Sequence, residues 1–288
     1  MKILLLSTSL TLLFSGATAR AACIPVPGAA DLWLKSSLRW VWVGEMHGTG
    51  ETPAAFGDLV CDALAHGKHV TVALERFTAE QPALDAIVGG GNVQDAEATL
   101  LASAGWKIFD GRSSQAMLAL LVRLRELKKQ YPDLRVAAID GPAYTGELGS
   151  RDEAIGQSVR ALGGSQSDDL VLVLTGNVHA MKHPFSSYKT SVMFLPADQV
   201  FSLVVTDRGG EAWVMSNAGC GAQAYSSPDR DKTRPFGIYA DPAYAKSGFD
   251  GVFALGGQLS ASSPANTAAV EAAPCRKDFL AQPSSSAR

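Results

Sequence analysis

Two short motifs in this chain place a histidine three residues after a glycine. The first runs from Gly44 to His47 and includes Glu45, and the second runs from Gly176 to His179. Imidazole and carboxylate groups transfer protons in many enzymes and also bind metal ions. These residue types predict that both motifs contribute to one reactive site.

Each motif follows a run of apolar and β-branched residues that is typical of a buried strand. These runs are 40–43 and 170–175, and two similar runs end in acidic residues at Glu75 and Asp140. If the strands are parallel, their carboxyl ends meet at one edge of the sheet, where open α/β sheets bind ligands. We therefore expect the polar residues of all four strand ends to converge.

The segments between these strands predict an α/β fold. Residues 52–65, 115–130 and 151–162 are predicted to be helices that alternate with the strands. This alternation predicts a mostly parallel central sheet with helices on both faces. We expect one such domain at residues 22–258.

Two further predictions concern the chain after the second motif. Strand-like runs at 201–206 and 211–215 flank the turn-forming residues 207–210, which predicts an antiparallel hairpin at the edge of the sheet. Residues 219–249 are rich in glycine, proline, tyrosine and aspartate, and we expect long surface loops there. Residues 259–288 are rich in alanine and serine and are expected to form a tail that Cys275 ties down.

Three chemistries fit the side chains that should converge. His47, Glu75 and His179 could bind a divalent metal ion and leave one position open for water. The same residues, with Glu45, could hydrolyse a substrate without metal if a histidine is the base and a glutamate holds its tautomer. A pair of histidines could instead ligate haem. The residue types do not separate these alternatives.

Several of these segments resemble one known superfamily. GEMHGTGE, the ALE of residues 73–75 and TGNVHA are similar to motifs of the superfamily that joins the Tiki proteases, the erythromycin esterases and the ChaN haem-binding lipoproteins. The resemblance covers about 40–205 and implies an α/β fold whose catalytic residues are Glu45, His47, Glu75 and His179. The chain lacks the extra helical insertions of the esterases and the clear lipobox of the ChaN lipoproteins.

Three more residues are expected to bind the substrate. Arg151 and Asp152 resemble an Arg-Asp pair that precedes the second motif in the esterases, which implies that Arg151 holds the substrate. Arg112 begins a predicted helix and could bind an anionic group. Asn177 belongs to the second motif and should lie at the same strand end.

The leading hypothesis is an exported, hydrolase-like protein. It would cleave an amide or ester bond in a peptide or small molecule, with assistance from a metal ion or a histidine. The alternative is a haem-binding protein of iron uptake that has no catalytic activity. A third possibility is an exported toxin-like or structural domain with a vestigial site.

Composition and the N-terminus bear on location and partners. A hydrophobic content of 47%, a charged content of 18% and a net charge of −3 are typical of a globular protein and argue against a nucleic-acid partner. Lys2, an apolar run and the Ala19-Arg20-Ala21 triplet predict a cleaved signal peptide at residues 1–21. Because that run is too short to span a bilayer comfortably, we expect no stable membrane span and a periplasmic or secreted location.

The four cysteines of the exported chain predict two disulfides. Four cysteines allow three pairings, and the sequence does not choose among them. We predict that Cys23 pairs with Cys275, which would join the two ends of the chain, and that Cys61 pairs with Cys220.

Overall fold

The computed structural model describes residues 23–141, 147–163, 166, 168–216 and 219–272. The predicted signal peptide at 1–21 and Cys275 lie outside the described residues. The division of the chain at residue 258 stays a prediction.

Two β-sheets form from nine strands in the described residues. The strands are β1 Trp40–Glu45, β2 His69–Phe77, β3 Arg135–Asp140, β4 Asp169–Gly176, β5 Val200–Thr206, β6 Gly210–Ser216, β7 Gly219–Tyr225, β8 Gly237–Ala240 and β9 Gly251–Ala254. A seven-stranded sheet in the order β3-β2-β4-β1-β5-β9-β8 forms the centre of the protein. Six neighbouring strands run parallel, and β8 pairs antiparallel with β9 at one edge. A separate two-stranded antiparallel sheet consists of β6 and β7.

Helices cover both faces of the large sheet, as the sequence predicts. They are α1 Ala30–Trp33, α2 Glu51–Ala65, α3 Gln81–Gly89, α4 Val93–Ala102, α5 Gln115–Gln130, α6 Ser150–Ala161, α7 Asn177–Ala180, α8 Asp229–Lys232 and α9 Thr267–Ala272. Short 3₁₀ helices lie at Thr78–Glu80, Ala104–Lys107, Ser191–Phe194 and Pro242–Ser247. The predicted fold class, a mostly parallel sheet with an antiparallel edge, is confirmed.

The central strand β1 explains why the sheet is buried on both faces. Because side chains alternate along a strand, Val41 and Val43 enter one core, with α2, α3 and α5, while Trp40 and Trp42 enter the other, with α6 and α7. Every residue of β1 is buried. Strands covered on both faces are expected to be continuously apolar, as this one is until its last residues.

The predicted hairpin of 201–206 with 211–215 is wrong. β5 lies inside the large sheet, parallel to both β1 and β9, and β6 leaves that sheet to pair with β7. The antiparallel edge strand is β8, within 219–249, where the sequence predicts surface loops. The local sequence pattern and the turn residues 207–210 are the same whether β5 pairs with β6 or with β1. The long-range parallel pairing of β5 with β1 and β9 therefore determines its place in the large sheet.

The predicted disulfide pairing is also wrong, because Cys23 is bonded to Cys61 with a Cα–Cα distance of 5.4 Å. The segment after Cys23 lies along α2, and two hydrogen bonds to the buried Asp62 hold it there. The backbone N–H of Val26 donates to Oδ2 at 2.8 Å, and Trp33 Nε1 donates to Oδ1 at 2.6 Å. This packing brings Cys23 to the helix that carries Cys61. Cys220 also lies in a disulfide.

Removing the Cys23–Cys61 disulfide is expected to lower the free energy of unfolding by about 4 kcal/mol, because the bond restricts a loop of 38 residues in the unfolded chain. The Cys23→Ala/Cys61→Ala variant tests this by urea unfolding beside the wild type. Peptide mapping of the unreduced wild type should recover the Cys23–Cys61 link. An unchanged unfolding midpoint in a variant with a native circular dichroism spectrum would contradict the expectation.

Among the described residues, no helix is both long enough and apolar enough to cross a membrane.

Candidate active site

The four strand ends converge as the sequence predicts. β3, β2, β4 and β1 are consecutive neighbours in the sheet, and every pairing among them is parallel. The carboxyl ends of β1, β2 and β4 line a cleft of about 450 Å³, and Asp140 at the end of β3 binds two arginines that line it. All seven residues predicted for the site line this cleft, and its full lining is Glu45, Met46, His47, Glu75, Asp110, Arg112, Arg151, Gly176, Asn177, Val178 and His179.

Glu75 is the central residue of the cleft. It lies where the register between β2 and β3 shifts, and such bulges re-aim side chains. Its Oε1 accepts hydrogen bonds from Arg151 at 2.6 Å and Arg112 at 3.2 Å, and its Oε2 accepts one from the backbone N–H of Gly176 at 2.7 Å. Burial opposes the charge of Glu75, but the nearby charges and hydrogen bonds, those of His47 first, outweigh it and hold the pKa of Glu75 well below its usual value.

His47 lies between two carboxylates. Its Nδ1 is 2.9 Å from Glu45 Oε1, and its Nε2 is 3.3 Å from Glu75 Oε2. Burial disfavours the charged imidazole, but the charge of Glu75 and the hydrogen bonds to both carboxylates outweigh it and raise the pKa of His47 to about 10. At neutral pH His47 is therefore an imidazolium, with Nδ1 hydrogen-bonded to Glu45 and Nε2 in an ion pair with Glu75.

Glu45 holds His47 from a buried position at the end of β1. Burial raises the pKa of Glu45, and the hydrogen bond to His47 offsets this only in part. Its second oxygen, Oε2, is buried and has no hydrogen-bond partner in the described part of the chain. The hydrogen bond that Glu45 forms with His47 therefore fixes the orientation of the first histidine.

His179 is oriented by a different carboxylate. Its Nδ1 is 2.7 Å from Asp152 Oδ1, which also accepts hydrogen bonds from the backbone N–H and hydroxyl of Ser191, at 2.9 and 2.8 Å. Arg151 Nη1 lies 2.9 Å from Nε2 of His179. Because Arg151 can only donate, this network assigns the proton to Nδ1 and leaves a lone pair on Nε2. The Nε2 atom is also 3.7 Å from Glu75 Oε1, so both histidines face the same carboxylate.

Carboxylates bind both arginines of the cleft. Arg151 donates to Asp140 through Nε and Nη2, at 3.2 and 2.7 Å, in addition to Glu75. Arg112 donates to Asp140 at 3.1 Å and to Asp110 at 2.8 Å. Burial opposes both charges, but these acidic partners outweigh it and raise the pKa of each guanidinium. The arginines that the sequence predicts to bind the substrate therefore donate most of their N–H groups to other side chains of the protein.

The two motifs depend on each other's glycines. A Cβ atom at Gly44 would lie 2.8 Å from Asn177 Cα and 2.9 Å from Ala180 Cβ, because the short helix of the second motif packs against the first. A Cβ atom at Gly176 would lie 3.0 Å from Nε2 of His47. Each glycine thus leaves the space that the other motif occupies.

Two later segments hold the loop that follows His47. The carbonyl of Gly48 accepts hydrogen bonds from the backbone N–H groups of Trp213, in β6, and Ser262, both at 2.8 Å. Gly48 has a φ of +81°, and a Cβ atom there would lie 2.0 Å from the carbonyl oxygen of Trp213. Residues 259–265, which the sequence assigns to the tail, run beside this loop and the start of α5.

Arg76 supports the site from behind the cleft. It is buried, forms two hydrogen bonds with Glu80 at 2.9 and 3.1 Å, and lies 4.5 Å from the Trp106 ring. Its Nη1 also donates to the Arg112 carbonyl at 3.0 Å and to the Ser113 hydroxyl at 2.9 Å. Glu75 therefore holds the side chain of Arg112, and the next residue of β2, Arg76, holds the backbone of the loop that carries it.

The sequence predictions give no catalytic or binding role to four residues of the site. Asp110 and Asp140 bind the arginines, while Asp152 and Ser191 orient His179. Asp140 and Asp152 had a signal, since one ends a strand and the other follows Arg151. Ser191 lies in a 3₁₀ helix after the second motif, and nothing in its local sequence marks it.

The predicted metal ligands contact one another and Arg151 in this arrangement. A metal needs a lone pair on each ligand, and here Nε2 of His47 lies 3.3 Å from Glu75 Oε2 while Nε2 of His179 accepts from Arg151. The described residues hold no group of three His, Cys, Asp or Glu placed to hold a metal ion. Haem would need the same nitrogens. Metal and haem binding stay predictions that measurement can test.

Comparisons with known proteins bear on the fold. No family model and no curated protein sequence matches the chain. A Bacillus cereus protein is similar in structure, with a TM-score of 0.53 and 13% identity over 85% of this chain and 95% of that one. A mutant of the erythromycin esterase EreC in its open conformation has a TM-score of 0.47 and 10% identity over 69% and 78%.

A third similar structure, of bacterial protein toxins, has a TM-score of 0.44 and 18% identity over 60% of this chain. The chain spans only 35% of that protein's length. At these identities the likeness concerns the fold alone, and the Bacillus cereus protein supports the α/β architecture. The resemblance of the paired motifs to the Tiki, esterase and ChaN proteins stays a prediction.

Proposed function

We propose that this protein is an exported hydrolase that cleaves an ester or amide by acid-base catalysis. The observation that carries the proposal is a pair of carboxylate-imidazole dyads, Glu45 with His47 and Asp152 with His179, that face opposite oxygens of Glu75 in one cleft. A histidine whose tautomer is held by a carboxylate is a common arrangement for proton transfer.

The two histidines have different roles in this proposal. His179 presents the lone pair of Nε2, so it takes a proton from water once a water molecule replaces the hydrogen bond from Arg151. The resulting hydroxide attacks the carbonyl carbon. His47 is already protonated and gives a proton to the leaving oxygen or nitrogen as the C–O or C–N bond breaks. Glu75, between them, stabilises the positive charge that His179 gains.

Arg151 and Arg112 have a mainly structural role here. Their contacts keep Glu75 ionised and in place, and the partly exposed Arg151 retains an N–H near the reacting carbonyl. Such a donor would stabilise negative charge on the carbonyl oxygen in the transition state. Asn177, exposed at the same strand end, is the third predicted contact to the substrate.

Export is part of the proposal. The signal-like N-terminus predicts it, and the Cys23–Cys61 disulfide supports it, because disulfides persist mainly in oxidising compartments.

The test is hydrolysis of p-nitrophenyl esters and amino-acid p-nitroanilides by the purified protein, after dialysis against EDTA. The wild type should exceed the His47→Gln/His179→Gln variant on at least one substrate class, with or without the chelator. Equal rates for the two proteins on every substrate would contradict the proposal. Activity lost with EDTA and restored by Zn²⁺ would instead support the predicted metal, and a haemin Soret shift absent from the variant would support haem binding.

A further inference from the structure

Two exposed apolar side chains and a tyrosine lie near the start of α6, where the residues before Gly149 meet the turn at 185–188. Leu148 is 71% exposed and Phe185 is 44% exposed, although most large apolar side chains in the described residues are buried. Tyr188 lies beside them, with its ring centroid 6.0 Å from that of Phe185 in an edge-on arrangement. We call Leu148, Phe185 and Tyr188 the apolar rim.

The backbone holds the apolar rim in place. Phe185 and Tyr188 form an antiparallel bridge across a two-residue turn, with reciprocal backbone hydrogen bonds of 3.0 and 3.3 Å. Gly149, which follows Leu148, lies against the Tyr188 ring, where a Cβ atom would come within 2.6 Å of Tyr188 Cβ. Gly149 has a φ of +85°, which a residue with a side chain rarely adopts.

The apolar rim is continuous with the catalytic cleft. Gly149 caps α6, and Arg151 is the second residue of that helix. Tyr188 packs against Gly149, the residue that caps the helix carrying Arg151 and Asp152, and it lies three residues before Ser191, whose hydroxyl donates to Asp152 of the His179 dyad. A substrate whose carbonyl lies between the two histidines can therefore reach Tyr188.

The charges of the cleft argue for an uncharged group at this position. Asp140 and Glu75 accept from Arg151, and Asp110, Asp140 and Glu75 accept from Arg112. An anionic substrate group would have to displace these carboxylates, of which Glu75 and Asp140 are buried, from the guanidinium groups. An apolar group has no such competitor and gains by covering Leu148 and Phe185.

We propose that the substrate carries an uncharged apolar group next to its scissile ester or amide carbonyl, and that this group binds on the apolar rim. The inference rests on the proposed hydrolase function and adds the class of substrate to it.

The test is a series of p-nitrophenyl esters with acetyl, butyryl and hexanoyl groups, beside the anionic hemisuccinate. For the wild type, kcat/KM should rise by about fourfold per methylene that becomes buried and should be lowest for the hemisuccinate. In the Leu148→Ser/Phe185→Ser variant the ratio of hexanoyl to acetyl hydrolysis should fall towards one. The matched control is Leu34→Ser, because Leu34 is 82% exposed and precedes the amino-terminal end of β1, whereas the cleft lies at the carboxyl end. It should keep the wild-type ratio.

The outcomes separate the two proposals. If no ester is hydrolysed faster than by the double histidine variant, the hydrolase proposal fails. If the esters are hydrolysed with no dependence on chain length, or if the rim variant keeps the wild-type ratio, the apolar rim is not the substrate site. Sedimentation that finds a wild-type dimer and a monomeric rim variant would also overturn the inference, because a second copy would then cover the rim.

Discussion

Replacing either His47 or His179 with glutamine is expected to lower kcat/KM for ester or amide hydrolysis by about 10²–10⁴-fold, the usual contribution of a positioned acid or base. In the proposed mechanism, His47 supplies the proton that the leaving group needs, and His179 supplies the lone pair that activates water. Glutamine keeps a polar side chain of similar length, so the cleft should remain filled. Initial rates with the best ester of the series give the value.

The double variant should lose little more than the worse single variant. The two histidines act through the same carboxylate in one reaction, and residues that act as a unit are strongly non-additive. His66→Gln is the control, because Nδ1 of His66 lies 3.2 Å from Asp62, as in the dyads, but outside the cleft. Near-wild-type activity in either single variant, or a full product of the two losses in the double variant, would refute the paired acid-base mechanism.

The Glu75→Gln substitution is expected to destabilise the protein by about 3–5 kcal/mol, the cost of removing one partner from a buried ion pair. Two arginines and one imidazolium face this carboxylate, and a neutral amide cannot compensate them. Urea unfolding at pH 7 measures the change. Glu126→Gln is the control, since Glu126 pairs with Lys129 on the surface and should cost no more than about 1 kcal/mol. Equal midpoints for the two variants would show that the network around Glu75 contributes no net stability.

The same variant should change how stability depends on pH. The pKa of His47 is raised from 6.5 to about 10 in the folded protein. The stabilisation that the charged imidazole gives to the folded protein is therefore complete below pH 6.5 and is lost as pH rises towards 10. The pKa of Glu75 is lowered, so the carboxylate contributes above its usual pKa and is lost as pH falls through the folded value. Glu75 is the main cause that raises the pKa of His47. The variant should therefore lose much less stability than the wild type between pH 6.5 and 10, as unfolding midpoints at both pH values would measure.

Much of the site can be predicted from sequence because the local residue pattern marks where each strand ends. An apolar run that stops at a glycine or a carboxylate identifies Gly44, Glu75 and Gly176, and parallel pairing then brings them together. The contacts of Arg112 cannot be read in this way, since they depend on a loop that the buried Arg76 holds. The local sequence also gives no sign of which cysteine meets Cys61, because that depends on how the N-terminal segment packs on α2.

Because Gly44 and Gly176 each pack against the other motif, the site can form only after the second motif has been synthesised. A nascent or truncated chain that ends before β4 already contains Glu45, His47 and Glu75, but it lacks the Gly176 N–H that holds Glu75 and the helix that packs on Gly44. Such a chain also lacks the strand that pairs with both β1 and β2, so those two strands each have an open edge. A premature stop before β4 should therefore leave a product for quality-control proteases rather than a protein with a partly formed site.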